Sequence, residues 1–149
     1  MGTISENFSY REFEVTDIPN LKFENVIKDA SVRDSVKALV LNVLQPLRDA
    51  WGAPLAINSG YRCPAVNKAV GGVSTSQHTK GEAADVCPFG RNGHGSANGI
   101  RRLAKMVVDL GLPFDQVILY PSFVHISHKL AGQQRGRVLY SKTWRGGDI

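Results

Sequence analysis

Asp85 stands inside Ala83-Ala84-Asp85-Val86-Cys87, a segment otherwise small and apolar enough for a buried strand. Strand alternation puts Ala83, Asp85 and Cys87 on one face. A carboxylate in that setting is costly unless a partner neutralises it, so any fold open to this chain must bring a cationic group to Asp85. The polar turn just upstream, Ser76-Gln77-His78-Thr79-Lys80-Gly81, supplies an imidazole, and Gly81 with two alanines leaves the surroundings uncrowded. Neutral imidazole nitrogen and carboxylate oxygen are a ligand set that zinc accepts. A third ligand is needed, and His125, on the same face of a predicted strand as Phe123 and Ser127, is the best candidate. Three protein ligands leave a fourth position for water, the arrangement of a catalytic rather than a structural zinc.

The rest of the chain supplies elements to hold these residues. Ser31-Val32-Arg33-Asp34 offers a hydroxyl cap with an acid three residues on. Apolar residues at Val32, Val36, Leu39, Val40, Val43 and Leu47 then predict a core helix up to Gly52, bent near Pro46. Leu55–Asn58 reads as a strand, and Ser59 to Ser76 as turns with one helical turn after Pro64. Ser96 caps a second predicted helix whose stripe is Ile100, Leu103, Ala104, Val107 and Leu110, stopped by Gly111 and Pro113. Strands are expected over 116–120, 123–127 and 137–141. This order predicts a small α+β domain with a largely antiparallel sheet packed by helices.

At 149 residues, 42% of them apolar, the chain suffices for one hydrophobic core, so residues 1–149 are expected to form one domain. That composition excludes a disordered chain, and two cysteines, Cys63 and Cys87, exclude a disulfide-dense mini-protein. The pair lacks a zinc spacing, and small buried hydrophobes are the commoner role for them, with a nearby thiol or a single bridge as the alternatives. No apolar run could span a membrane, and the N-terminus lacks the basic start and apolar stretch of a signal peptide, so synthesis in the cytoplasm is expected. The net charge of +5 collects towards the C-terminus, in Lys129, Arg135, Arg137, Lys142 and Arg145. These are scattered among Gly and Gln without stacking aromatics, which argues against nucleic acid and for a solvated face, one suited to an anionic cell-wall polymer.

Ser76-x-His78-x-x-Gly81-x-Ala83-x-Asp85, preceded by Ser59-Gly60-Tyr61-Arg62 and followed by Phe123-Val124-His125-Ile126-Ser127, resembles peptidase family M15, the group of zinc D-Ala-D-Ala carboxypeptidases and phage L-alanyl-D-glutamate-type endopeptidases. The likeness runs from Asn7-Phe8-Ser9 through Leu44-Gln45-Pro46-Leu47-Arg48 to the C-terminal strand. It implies a hedgehog/D-Ala-D-Ala peptidase-like fold, one zinc bound by His78, Asp85 and His125, and hydrolysis of D-Ala-containing peptide bonds in peptidoglycan stems. It also implies action at the bacterial cell wall, as for a phage or prophage product. Arg62 matches the family's arginine and would stabilise an oxyanion or hold a substrate carboxylate.

The sequence departs from the family at the general base. Many members carry an acid three residues before the last histidine ligand, where this chain has Ser122, and others a Glu slightly earlier, where it has Tyr120. Beyond residue 50 the acids are Glu82, Asp85, Asp109, Asp115 and Asp148. Asp115, entering the strand that leads towards His125, is the expected base, and His128 is a further candidate proton carrier or oxyanion partner. The missing acid also supports a competing expectation, a non-catalytic zinc-containing domain that binds wall peptides or belongs to a larger particle.

Overall fold

A computed structural model describes residues 2–149. Its centre is a five-stranded sheet in the order β1-β2-β4-β3-β5, built from β1 (Ala56–Ser59), β2 (Ala83–Cys87), β3 (Gln116–Leu119), β4 (Val124–Ser127) and β5 (Arg137–Tyr140). Every pairing is antiparallel except β3 with β5, which is parallel. The fold is α+β, as the element order predicts.

The long helix expected from residue 31 is present as three consecutive pieces: α1 (Ala30–Leu39), a π-helical turn (Val40–Leu44) and α2 (Gln45–Trp51). Pro46 explains the middle piece, because it lacks an N–H and its ring crowds the carbonyl four residues back; a wider turn absorbs both. The cap is Asp29, which accepts from Ser31 N–H at 2.8 Å, rather than the Ser31 hydroxyl. The short α3 (Pro64–Ala69) follows β1, and α4 (Ala97–Asp109) starts from Ser96, whose side chain accepts from Gly99 N–H. Leu110 of the expected stripe is 46% exposed, since it lies past the last turn of α4.

The helices bury one face of the sheet. Val36, Leu39, Val43 and Leu47 from the first helical run and Ile100, Leu103 and Val107 from α4 meet Ala84, Val86, Val117, Leu119, Val124 and Ile126. Alternation leaves Asp85, His125 and Ile118 on the opposite face, and the register sets them side by side: Ser59 opposite Asp85, Asp85 opposite His125, His125 opposite Ile118. The N-terminal segment adds two short 3-10 helices, Tyr10–Glu14 and Pro19–Leu21, that the apolar pattern does not reveal. A local signal for the first existed, since Ser9 N–H donates to Glu12 Oε1 in the arrangement of a capping box. Among the described residues no helix is long and apolar enough to cross a membrane.

Candidate metal centre

Cross-strand pairing brings His125 Nδ1 to 3.0 Å from Asp85 Oδ1. His78 arrives from a different element, the 3-10 turn Gln77–Lys80, and its Nε2 lies 3.3 Å from the same oxygen. Ser76 Oγ accepts from His78 N–H to start that turn, and Gly81 ends it at φ +74°. A Cβ at Gly81 would lie 2.7 Å from the Val32 carbonyl oxygen, so glycine also permits the close approach to α1. The ring of His78 is oriented by its Nδ1, 2.7 Å from Gly60 O. A carbonyl only accepts, so Nδ1 carries the proton and Nε2 is the nitrogen presented to Asp85.

One ligand atom each from His78, Asp85 and His125 lies within 4.8 Å of the others. A bare Nε2 lone pair facing a carboxylate oxygen at this distance is repulsive unless a proton or a metal cation lies between them. Two imidazoles and one carboxylate fit a single divalent cation. Burial pushes the Asp85 carboxyl upward, but the His78 and His125 imidazoles more than reverse this and hold it well below the ordinary carboxylate range. It is therefore an anion, as a ligand must be.

The three side chains lie at an open cleft of about 540 Å³, which is also lined by Arg62, Ser76, Gln77, Tyr120, Phe123 and Arg135. Arg62 Nη2 is 3.6 Å from Asp85 Oδ2, while its Nε donates to Ser59 Oγ at 3.2 Å and its Nη1 to Asn67 Oδ1 at 3.4 Å. Its backbone N–H donates to His78 O, tying the two segments together. Fully buried Asn25 fixes the flanks, accepting from Cys63 N–H and donating to Tyr61 O and Glu14 O. Tyr120 and Phe123 stack at 4.5 Å between centroids and form one wall. Burial raises the Tyr120 hydroxyl and the Asp85 charge adds to this, against the opposing effect of Arg62, so it stays a neutral donor.

A family model for Peptidase M15 matches residues 7–127. The chain belongs to the peptidase M15 family. Members are typically metallopeptidases, and His78, Asp85, His125 and Arg62 all fall within the matched stretch of this M15 peptidase. No curated protein matches the chain.

The other two expected catalytic residues of the M15 chain have different surroundings. Asp115 is fully buried and is not among the residues lining the cleft. Its Oδ1 accepts from Arg135 N–H at 2.8 Å and its Oδ2 from Arg135 Nη2 at 2.7 Å and Gln77 Nε2 at 3.2 Å. Hydrogen bonds from Arg135 outweigh the cost of burial and hold its carboxyl at about 2. A base needs a free lone pair directed at the reacting water, and both Asp115 oxygens are engaged elsewhere. His128 is buried as well, with Nδ1 2.6 Å from Pro113 O and its backbone N–H on Glu82 O. It too is absent from the cleft lining. Both side chains thus lie apart from the cleft-lining residues, each engaged by partners of its own.

Gln77 and Arg135 are among the cleft residues that the sequence reading does not single out. Gln77 lies inside the motif that carries the family resemblance, and Arg135 belongs by sequence to the scattered basic residues of the C-terminal third. Cys63 and Cys87 are free and buried, outside the cation cluster. His94 is exposed in the loop between β2 and α4.

Proposed function

We propose that this chain is a zinc-dependent peptidase that hydrolyses D-Ala-containing peptide bonds of peptidoglycan stems at the bacterial cell wall. The observation that carries the reading is the convergence of His78 Nε2, Asp85 Oδ1 and His125 Nδ1 at the cleft, beside an arginine. These three residues would hold one zinc ion, which when bound supplies a Lewis acid for the scissile carbonyl and an activated water.

The protein's own groups complete the site. Gly60 O orients the His78 imidazole through the nitrogen that faces away from Asp85, and cross-strand pairing holds His125 beside Asp85. Arg62, held by Ser59 and Asn67, keeps a cationic guanidinium where negative charge develops on the substrate oxygen. The neutral Tyr120 hydroxyl offers a further donor on the cleft wall, and the stacked Tyr120 and Phe123 rings give the peptide an apolar surface. Asp115 is a positioning residue, acting through Arg135 and Gln77.

One observation favours a second reading. Asp85 is the only acid among the described residues lining the cleft, so no second carboxylate stands ready to take a proton there. A zinc-containing domain that binds wall peptides without cutting them fits that shortage. The two readings part on incubation of the metal-loaded protein with purified peptidoglycan and muropeptides. A peptidase releases new amino groups, stops with chelator, and loses about 100-fold or more of its rate in His78→Ala. Stoichiometric zinc binding with no amine release would establish the binding domain instead.

A further inference from the structure

Arg135 lies in a polar loop that is tied down by hydrogen bonds at several points. Its backbone N–H donates to Asp115 Oδ1, the next residue's N–H donates to Phe114 O at 3.2 Å, and Gln134 closes the loop by bonding Lys129 N–H and O at 2.8 and 2.9 Å. Asp115 also takes the side chain along one edge, from Nε at 3.1 Å and Nη2 at 2.7 Å. Nη1 enters no hydrogen bond among the described residues. The opposite edge of the guanidinium, Nη1 with the second Nη2 hydrogen, is therefore left over. That edge has the geometry for a two-point contact with a carboxylate.

Exposure divides the pair in a telling way. The Asp115 side chain is 0% exposed while that of Arg135 is 46% exposed and lines the cleft. Lys129 Nζ lies 3.9 Å from Asp115 Oδ1, so two cations face one carboxylate and the group retains a positive charge. Of the described residues lining the cleft, Asp85 alone is acidic, and it is already committed to His78, His125 and Arg62. Gln77 connects the two centres, donating to Asp115 Oδ2 from the turn that carries His78.

We propose that Arg135, oriented by Asp115, is a specificity-determining residue that binds a free carboxylate of the peptide substrate. This rests on the peptidase reading for the identity of the ligand as a wall peptide, and adds to it a requirement for an acid group on that peptide. A guanidinium fixed in advance at the backbone and along one edge loses little freedom on binding, which favours discrimination between an acid and its neutral isostere.

The test is calorimetric titration of the zinc-loaded protein with a stem pentapeptide ending in D-Ala-D-Ala and with its analogues in which each carboxylate in turn is a carboxamide. Wild type should bind one carboxamide about tenfold or more weakly than the acid. Arg135→Ala should bind the acid and that carboxamide equally, both near the wild-type affinity for the carboxamide. Arg135→Gln, whose amide can still donate to Asp115, gives the same comparison if the alanine variant folds poorly. A merely structural Arg135 would leave the ratio of acid to carboxamide unchanged in both variants, and that result overturns the proposal. So does a wild type that binds all the peptides alike, or none. Amine release measured on the same samples reports on hydrolysis separately. Discrimination without release removes the peptidase reading and keeps the carboxylate site, whereas release without discrimination removes the site alone.

Discussion

Asp115 shows how a buried charge can be retained without being reactive. Its carboxyl falls from the ordinary 3.8 to about 2 because Arg135 and its backbone N–H favour the ionised form over the cost of burial. The sign follows from linkage. A depressed acid stabilises the fold above its ordinary value, and the contribution is lost as pH falls through the folded value. The shift corresponds to roughly 2 kcal/mol, lessened by solvent around the half-exposed Arg135. Asp115→Asn should therefore be less stable than wild type by about 1 to 2 kcal/mol at pH 6 in urea titrations, and the gap should close towards pH 2. A gap that stays constant with pH would mean packing, not charge, explains the loss. Asp85 and Asp115 also differ in legibility for a physical reason. Asp85 interrupts an apolar strand, so its need for a partner is visible locally. Asp115 follows Phe114 at the mouth of a strand, and its partner comes from a loop twenty residues on whose closure has no periodic signature.

At the scale of elements, periodicity identifies the helices and strands that bury a stripe or a face. It could not reveal the 3-10 helix Tyr10–Glu14, which buries only Phe13, yet that helix supports the centre: Tyr61 N–H donates to Phe13 O, and Gly60 packs against Phe13 while its carbonyl orients His78. The turn Gln77–Lys80 is similarly dependent on one glycine. Gly81 combines φ +74° with an approach to Val32 O that excludes a Cβ, whereas Gly52, at φ +77°, has nothing within 4 Å. Gly52→Ala should cost only the left-handed backbone penalty, about 1 kcal/mol. Gly81→Ala should cost about 2 kcal/mol or more and also weaken zinc binding, because relief of the clash moves the His78 turn away from α1. Urea titration with zinc titration on the same two variants checks both effects. Equal losses of stability with unchanged zinc affinity would show that the turn is not what holds His78 in place.

Across the whole molecule, the sheet order converts separate motifs into one centre. The antiparallel neighbours β3 and β4 are legible as two short strands split by Pro121-Ser122. The insertion of β2 between β1 and β4 is not, because strand order depends on long-range pairing that alternation does not specify. That insertion aligns Ser59, Asp85 and His125 in a row, and His78 then closes over the row from the turn after α3. A cation held there would join two strands and a turn that are distant in sequence, and such ligands are not held together in the unfolded chain. Metal binding therefore adds to folding stability, by about 2.7 kcal/mol at a free concentration one hundred times Kd. For a chain of this size the expected rise in Tm is about 5 to 10 °C. Chelator should reverse it, His78→Ala should abolish it, and Arg135→Ala should keep it, since Arg135 donates nothing to the cluster. A zinc-dependent rise that survives His78→Ala would place the stabilising ion elsewhere on the molecule. An equal loss in both variants would show that the cluster and the Asp115–Arg135 pair act as one unit through Gln77.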